Sequence, residues 1–440
     1  MMIGSFRDQQ PTQLLAVGFQ SERETMRITI LIPEFPGQTH AFFWREIKTL
    51  QATGVSVQVL STRHPLKAVD CHTWSAAAMA ITTYAVPLTL SKLLCAVVTI
   101  LLAGPARWYQ CTRLLIEADG ERLTGRLRLI GLFLIAGFFA HRLRKFGSKH
   151  LHAHSCADSA YLAAFASKLT GIPYSLTLHS AIGVFGAGQE AKWGNAAFGV
   201  AVSNSVLLEM RNRVLATRNK EIPVVSMGVD PEYFQREKDY EPPSKSDTLR
   251  IVTCGRLHPG KGHDDVIRAV GELRDKGYRL QLSLLGEGPD RRRLQTLVSE
   301  FMLEEVVRFR GAVSESVVRA QLQEAHMFVL ASHQEAIGVA TMEAMAMSLP
   351  VIVTEVGGVS ELVRDQVDGL LVPPGDMSAI VQAITFLAET PTVAVAMGRS
   401  GALRVRSSFH SRLSAEMLTQ LINAHVSVLA CSFVLLSNRI

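Results

Sequence analysis

Two cationic side chains follow a short apolar run in the C-terminal half of the chain. The run Ile251-Val-Thr-Cys-Gly255 is typical of a buried strand, and it leads directly into Arg256-Leu-His-Pro-Gly-Lys261-Gly262. Glycines at the end of a strand let the backbone approach a ligand closely, and a guanidinium beside an ammonium suits a diphosphate. A solvated basic turn is the competing interpretation when these residues are taken alone.

Two glutamates accompany a second strand-like run, Met327-Phe-Val-Leu-Ala331. Glu335 is expected in the loop after that strand, and Glu343 on a helix that begins near Gly338. The first amides of a helix have no partner within the helix and carry partial positive charge, so they suit a phosphate. The Glu343 carboxylate, farther along the helix, can accept hydrogen bonds from ribose hydroxyls. Acidic pairs also arise by chance, and their place between a strand loop and a helix with small residues favours a site.

A Gly-x-Gly turn, Gly286-Glu-Gly288-Pro289, ends another predicted strand. A dinucleotide-binding fingerprint needs a third glycine at a set spacing and an acidic residue roughly 20 positions later. A proline and the run Arg291-Arg292-Arg293 follow here instead, which weighs against a dehydrogenase. The three arginines are expected to form a solvated helix face.

The elements that must position these residues follow a doubly wound pattern. A strand over 28–33, a helix over 42–53 and a strand over 55–60 form a βαβ unit, and the alternation resumes after residue 150. A second series of strands is expected near 250–254, 280–285, 327–331, 350–353 and 370–372, with helices between them. Two such halves predict an α/β fold with an interdomain cleft, where the ligands of doubly wound sheets bind.

The domain boundaries follow from changes in composition. We expect a flexible leader at 1–25, which lacks the apolar run of a secretory signal, and a first domain over 26–235. Residues 236–248 are charged and contain a Pro-Pro pair, which is typical of a linker. A second domain is expected over 249–410, and a helix or tail over 411–440 that crosses back to the first domain is one option.

Composition limits the classes of function. The formal net charge of +6 suits an enzyme that handles anionic diphosphates or touches anionic lipid, and it is too diffuse to indicate a nucleic-acid partner. The six cysteines form no Cys-x-x-Cys pair and no cluster with histidine, so no zinc site is expected. A cytoplasmic location, with peripheral contact to the inner face of the plasma membrane as an option, is the simplest expectation.

Three apolar stretches leave alternatives open. Residues 93–103 and 129–140 are each shorter than the roughly 20 apolar residues that span a bilayer. They are either buried helices of the first domain or interfacial helices that insert shallowly, with the basic cluster at 142–145 on lipid phosphates. Residues 426–435 either pack against the first domain or contact a membrane.

Several segments together resemble glycosyltransferase family 4, a retaining family with the GT-B fold. In the donor-domain region, 250–375, the matching features are Gly255-Arg256 with Lys261-Gly262, Gly286-x-Gly288-Pro289, Glu335 with Glu343, Val356-Gly357-Gly358-x-x-Glu361 and Asp368-Gly369-Leu-Leu-Val-Pro-Pro-Gly375. In the first half, Leu151-His-Ala-His154 and Thr177-Leu-His179 fit the family pattern. Phe35-Pro-Gly37-Gln-Thr39-His40 and Phe42-x-x-Arg45-Glu46 resemble its bacterial exopolysaccharide branch, which includes colanic-acid-type enzymes.

The resemblance implies roles for individual residues. Arg256 and Lys261 would bind the donor diphosphate, Glu343 would bind its ribose, and Glu335 would lie beside the transferred sugar. His179 would contact the donor sugar, although a lone histidine at a strand end is more often structural. The catalytic set implied in this way is Glu335, His179, Arg256 and Lys261.

The remaining donor contacts would come from the backbone at Gly338, Val339 and Ala340. The family usually has Gly-Phe after its first glutamate, whereas this chain has Ala336-Ile337, so the identity of the donor sugar is left open. No acid-rich metal site is evident in the sequence, so we expect an enzyme that needs neither a metal nor a cofactor.

The resemblance implies a retaining transferase that moves a sugar from a nucleotide-sugar donor to a lipid-linked acceptor in cell-surface polysaccharide biosynthesis. The first domain would bind the acceptor and the second the donor. Two alternatives stay open: a glycolipid synthase that glycosylates a diacylglycerol-type lipid, and a non-catalytic nucleotide-sugar-binding subunit.

Overall fold

The computed structural model describes residues 26–65, 71–118, 123–244 and 246–437, with the backbone alone for residue 123 and residues 427–437. The leader predicted at 1–25 lies outside these ranges, as do residues 438–440 of the predicted tail. The described chain forms two sheets of six parallel strands, each with helices packed around it.

The first sheet has the strand order β3-β2-β1-β4-β5-β6, and all of its pairings are parallel. Its strands are β1 Arg27–Glu34, β2 Ser56–Arg63, β3 Thr82–Tyr84, β4 His150–His154, β5 Tyr174–Leu178 and β6 Phe198–Ala201. Its helices are α1 Ala41–Ala52, α2 Ser75–Ala80, α3 Leu90–Ala103, α4 Pro105–Ile116, α5 Leu123–Phe146, α6 Asp158–Thr170, α7 Gln189–Gly194 and α8 Asn204–Arg213. The central strands are buried because helices cover both faces of a parallel sheet.

The second sheet has the order β12-β11-β10-β7-β8-β9, again with parallel pairing throughout. Its strands are β7 Leu249–Cys254, β8 Leu280–Leu285, β9 Val307–Gly311, β10 Met327–Leu330, β11 Val351–Thr354 and β12 Leu370–Val372. Its helices are α9 His263–Asp275, α10 Arg291–Glu300, α11 Glu315–Glu324, α12 Val339–Ala346, α13 Val359–Leu362, α14 Met377–Glu389 and α15 Pro391–Ser408. The expected α/β class, with two Rossmann-like halves, is confirmed.

Strand β9 is absent from the sequence prediction. It is an edge strand in which Arg308 and Arg310 are exposed between apolar residues, so its sequence lacks the continuous apolar run of the central strands. An edge strand has one neighbour only, and it is therefore less buried than the strands inside the sheet.

The C-terminal helix α16, Ser411–Ser437, lies against α1 of the first half. Its residues Ala415, Leu418 and Ile422 are buried in one cluster with apolar residues of α1, β1 and β2. The segment predicted as a linker crosses the surface of the second half, where the Tyr240 hydroxyl donates to the carbonyl oxygen of His326 at 2.7 Å.

The two apolar stretches of the first half differ in burial. Residues 129–140 lie in α5, where side chains such as Leu129 and Phe139 belong to the main core. Residues 93–103 lie in α3, which exposes Leu101 and Leu102. Within the described chain, no single helix is long and apolar enough to cross a bilayer, although two sharply bent helix pairs, α3 with α4 and α14 with α15, meet the length and composition test together.

Candidate active site

A cavity of about 630 Å³ lies between the carboxyl ends of the two sheets. Its volume is within the range of small-molecule binding sites. Gln38, Thr39 and Phe42 line it from the first half. All eight residues predicted for the site also line it: His179, Arg256, Lys261, Glu335, Gly338, Val339, Ala340 and Glu343. The structure therefore brings the predicted residues together, and the role of each one stays a prediction.

Glu335 is held in the loop after β10 by a lysine and by a glycine turn. Its Oε2 atom lies 2.5 Å from Lys261 Nζ and accepts a hydrogen bond from Ser332 Oγ at 3.2 Å. Gly357 has φ +55°, and a Cβ there would lie 1.8 Å from the carbonyl oxygen of Glu335. Only glycine fits so close to that backbone in this conformation, so the motif around Gly357 positions the glutamate.

The cations and the helix terminus line the same cavity as that glutamate. Gly338, with φ +96°, ends the Glu335 loop and precedes the first turn of α12, whose residues Val339 and Ala340 line the cavity. Arg256 is exposed where β7 ends and has no ion pair within the described ranges. Two cations and unpaired helix amides at one cavity wall are a combination that can bind a diphosphate.

Glu343 is paired with an arginine of the first half that was not predicted as a site residue. Arg45 Nη2 lies 2.5 Å from Glu343 Oε1, and Arg45 Nε donates to Glu315 Oε1 at 2.8 Å. The arginine side chain is 8% exposed, so this charge is almost fully removed from water. Burial raises the pKa of the Glu343 carboxyl, and the charge of Arg45 offsets only part of this effect.

Arg45 thus links α1 to α11 and α12 across the cavity. Burial by itself would lower the pKa of the Arg45 guanidinium, but the charges of Glu343 and Glu315 outweigh it and raise the pKa. The Phe42-x-x-Arg45-Glu46 pattern of the exopolysaccharide branch is the sequence signal that could have identified this residue.

His179 lies at the cavity end of a partly buried chain of hydrogen bonds. Its Nε2 atom lies 2.9 Å from His154 Nδ1, and His154 Nε2 lies 3.0 Å from Glu46 Oε1. Burial lowers the pKa of His154 to about 3 and the pKa of His179 well below its ordinary value, so both rings are neutral at neutral pH. Burial raises the pKa of Glu46 to about 7.

Among the described residues, two groups are spaced closely enough to hold a cation. Asp264, Asp265 and His333 form a partly exposed group on the second half. The other group is Glu46, His152 and His154. Both ring nitrogens of His152 already bond to the hydroxyls of Ser175 and Thr177, and both nitrogens of His154 are engaged, so this group is a hydrogen-bond network rather than an open ligand set.

Further hydrogen bonds join the two halves. The Gln38 amide donates to the carbonyl oxygen of Glu287 at 2.9 Å and accepts from its amide at 3.1 Å. The Glu361 carboxylate accepts from the amides of Asn204 and Ser205, both at 2.8 Å. The cavity is therefore bounded by both halves.

Residues 234–404 match the sequence profile of the family described as Glycosyl transferases group 1. WcaL of Escherichia coli K12, a glycosyltransferase named for colanic acid biosynthesis, is 32% identical over 212 residues, which cover 47% of this chain and 52% of WcaL. The amylovoran biosynthesis glycosyltransferase AmsK of Erwinia amylovora is 29% identical over 212 residues, covering 46% of this chain and 51% of AmsK. The chain thus spans about half the length of the curated relatives it matches.

Solved structures with the same architecture cover nearly the whole chain. The sucrose-phosphate synthase of Thermosynechococcus elongatus superposes with a TM-score of 0.72 and 21% identity, covering 92% of this chain and 100% of that one. HepE of Anabaena, in complex with UDP and glucose, superposes with a TM-score of 0.67 and 14% identity, covering 91% of this chain and 100% of that one. At these identities the likeness establishes the fold alone, and it shows that the chain has the GT-B fold. Within that fold, residues 234–404 match the profile of the group 1 glycosyltransferases.

Proposed function

We propose that the protein is a retaining glycosyltransferase that takes its sugar from a nucleotide-sugar donor. The observation that carries this proposal is one cavity that brings Arg256, Lys261, the start of α12 and Glu335 of the second half together with His179 of the first half. The first three supply positive charge for a diphosphate, and the last two supply polar atoms for a sugar. HepE, with the same fold, was crystallised with UDP and glucose, which supports a nucleotide-sugar ligand.

The proposed reaction breaks the bond between the anomeric carbon and the β-phosphate oxygen of the donor. Negative charge grows on the departing diphosphate, and Arg256, Lys261 and the α12 amides stabilise it. Such preorganised donors contribute about 3–4 kcal/mol each to the transition state. The acceptor hydroxyl attacks from the face that the diphosphate leaves, and its proton passes to the departing phosphate oxygen, which retains the anomeric configuration.

In this proposal Glu335 keeps Lys261 in place and contacts the transferred sugar. Two cations at the cavity wall supply the charge that a divalent ion could otherwise supply, so we expect turnover to continue after treatment with EDTA. A loss of turnover that Mg²⁺ or Mn²⁺ restores would show that a metal takes part.

The donor is tested with a panel of nucleotide sugars. We expect one of them to raise the melting temperature of the full chain and to release its nucleoside diphosphate when an acceptor is present. Glu335→Ala should abolish release, while Lys276→Ala, an exposed residue of the same half, should not change it. Donor binding without turnover would favour the non-catalytic alternative, and full activity of Glu335→Ala would contradict the role of Glu335.

The acceptor is proposed to be lipid-linked because of how charge and apolar surface are distributed. By sequence, residues 86–146 contain nine lysines and arginines and three acidic residues. Their net charge of +6 equals that of the whole chain, so the remaining residues balance at 36 basic and 36 acidic. The excess charge of the protein therefore lies in the segment that forms α3, α4 and α5.

The same segment exposes a row of large apolar side chains, which we call the α3–α4 face. Its members are Leu90, Leu94, Val98, Leu101, Leu102, Trp108, Tyr109 and Ile116, with exposed fractions from 39% to 76%. Because β3 ends at Tyr84 and α3 begins at Leu90, α3 starts on the cavity side of the first sheet. An apolar face with an aromatic pair and surrounding cations suits the surface of an anionic bilayer, where a lipid-linked acceptor resides.

Vesicle flotation tests this contact. The full chain should float with phosphatidylglycerol vesicles at low salt, less at high salt, and little with phosphatidylcholine. The double variant Leu101→Glu/Leu102→Glu should lose flotation, whereas Leu403→Glu/Leu413→Glu, which changes two exposed leucines of α15 and α16, should keep it. A wild-type chain that stays with the soluble fraction, or that forms dimers through this face, would contradict the membrane contact.

The class of acceptor is tested in cells. Two relatives are named for the biosynthesis of colanic acid and of amylovoran, and this supports a role in polysaccharide synthesis. A deletion strain should then lose a surface polysaccharide and keep its membrane glycolipids. Loss of a glycosylated diacylglycerol instead would favour the glycolipid synthase.

A further inference from the structure

Three side chains form a continuous chain of hydrogen bonds from α1, across β4, to the cavity: Glu46, His154 and His179. His179 lines the cavity, and its second nitrogen, Nδ1, is buried without a hydrogen-bond partner among the described residues. Buried polar atoms are nearly always hydrogen-bonded, so this nitrogen is where a ligand group would complete the chain.

The direction of each hydrogen bond in this chain depends on the one before it. A neutral imidazole has one N–H group and one bare nitrogen, and both histidines are neutral because burial lowers their pKa. When Glu46 is ionised, it accepts from His154 Nε2–H. His154 Nδ1 then accepts from His179 Nε2–H, and His179 Nδ1 is left as a bare acceptor.

Protonation of Glu46 reverses every bond. The carboxyl O–H donates to His154 Nε2, so the hydrogen of that ring moves to Nδ1 and is donated to His179 Nε2. The hydrogen of His179 then lies on Nδ1. The two states differ by one proton on Glu46, and neither contains an imidazolium.

We propose that Glu46 and His154 are positioning residues that set whether His179 offers a hydrogen-bond donor or an acceptor to the ligand. The inference rests on the proposed function in one respect, the identity of that ligand as the sugar of a nucleotide sugar. A sugar hydroxyl whose orientation is fixed by its other contacts meets only one of the two states, as does a group that only accepts or only donates. The relay thus contributes to the specificity of the cavity.

The proton on Glu46 exchanges within the physiological range. Burial raises the pKa of Glu46 to about 7, and the nearby His152 ring opposes this effect in part. The titratable groups around the relay are His152 and His154 of β4, His179 after β5 and His40 before α1, and burial lowers the pKa of each of them. The nearest arginine in sequence, Arg45, pairs with Glu343 and Glu315 instead.

The test is nitrogen NMR on the full chain with ¹⁵N-labelled histidine. The signals of the relay are assigned as those missing from the spectra of His154→Gln and His179→Gln. Between pH 8 and pH 6 we expect the hydrogen to move from Nε2 to Nδ1 in both rings, with one shared midpoint near pH 7, in agreement with the raised pKa of Glu46. In Glu46→Gln, both rings should keep one tautomer over the same pH range.

Glu34→Gln is the matched control, because Glu34 is at the end of β1 and pairs with Arg63 outside the relay. Its spectra should show the wild-type midpoint. Wild-type tautomers that do not change with pH, or rings that become doubly protonated near pH 7, would contradict the relay. The wild-type titration gives this answer even if Glu46→Gln fails to fold.

A kinetic measurement adds a second readout. With the nucleotide sugar found in the donor screen, KM should change about tenfold between pH 6 and pH 8, the size expected when one buried hydrogen bond is mismatched, and kcat should change less. Glu46→Gln should remove the change in KM. A change of tautomer without any transfer activity would count against the proposed function and leave the relay intact.

Discussion

The two halves of the molecule have the same sheet architecture, but they hold the polar residues of the cavity in different ways. In the second half, Lys261 and Glu335 lie on short loops after strands, are partly exposed, and are fixed by glycine turns and a direct ion pair. In the first half, His179 is held on the side away from the cavity by a partly buried network of hydrogen bonds that runs through His154 to Glu46.

The two halves therefore differ in how their polar residues are expected to respond to changes in charge and in pH. Charged residues on loops meet the ligand directly. A buried network of neutral rings is sensitive to single protons, because each ring must donate with one nitrogen and accept with the other. The second half is therefore expected to respond to loss of charge, and the first half to pH.

The largest effect that we expect is acid destabilisation of the first half. His150, His152 and His154 alternate along β4 and are at most 1% exposed, and burial lowers the pKa of each ring, to about 3 for the last two. The unfolded chain binds protons at these histidines below about pH 6.5 and the folded chain does not, so stability falls as pH falls. The three together should cost about 6 kcal/mol at pH 5.

Glu46 changes the stability with pH in the direction opposite to that of the three histidines. Its pKa is raised to about 7 in the folded chain, so its contribution is present at low pH and is lost as pH rises through 7. It should offset about 2.5 kcal/mol of the loss between pH 8 and pH 5, and Glu46→Gln should therefore lose stability more steeply on acidification. All four tryptophans, Trp44, Trp74, Trp108 and Trp193, are in the first half, so their fluorescence during urea unfolding reports this half. Equal stability of the first half at pH 8 and pH 5 would contradict its expected sensitivity to pH.

The next effect concerns the charged loops of the second half. Lys261→Ala removes one of two cations beside the proposed diphosphate and leaves Glu335 without its ion pair. We expect turnover to fall about 100- to 1000-fold, with little change in its pH profile. The control is Lys276→Ala. A loss below about tenfold would show that the loop charges are not the main source of stabilisation.

Much of the fold was predictable from the sequence, because central strands of parallel sheets are continuous apolar runs. The site in the second half was predictable for a related reason: Lys261, Glu335 and Glu343 follow recognisable strands at short distances along the chain. Neither an apolar run nor a short distance along the chain indicates which residues of the two halves are in contact. Arg45 pairs with Glu343 across 298 positions, and only the packed fold brings them together.

Sequence patterns also could not predict which side chains of the first half are buried. The alternating histidines of β4 are typical of a polar, solvent-facing side of a strand, yet they are buried. Hydroxyls of β5 form hydrogen bonds with two of them: Ser175 with His150 and His152, and Thr177 with His152. Conversely, the apolar residues of α3 are equally consistent with a buried helix and with an exposed one. Exposure depends on which faces the neighbouring helices cover, and composition does not specify this.

Arg45→Met tests the contact between the halves, and we expect an intermediate effect on the free energy of unfolding. Removal of one partner from a buried ion pair leaves the others uncompensated, and Glu343 and Glu315 are 11% and 16% exposed. We expect a loss of about 3 kcal/mol in the free energy of unfolding. The triple variant Arg45→Met/Glu315→Gln/Glu343→Gln should recover most of that loss, because no unpaired charge remains. A stable single variant would indicate that the cleft opens and hydrates the two glutamates.

The smallest expected effect is at Glu361, which belongs to the Gly-Gly-x-x-Glu pattern of the second half. Its carboxylate accepts from the amides of Asn204 and Ser205 in the first turn of α8, so it caps a helix of the first half. A carboxylate at a helix N-terminus satisfies free amides and complements the helix dipole, and its loss should cost about 1 kcal/mol. Glu361→Gln should cost less than Glu361→Ala, because the amide oxygen can still accept. Tryptophan fluorescence during urea unfolding measures both variants. Because this residue of the second half acts on the first, its effect should appear in the unfolding of the first half, and a transition unchanged in both variants would mean that the halves are stabilised independently.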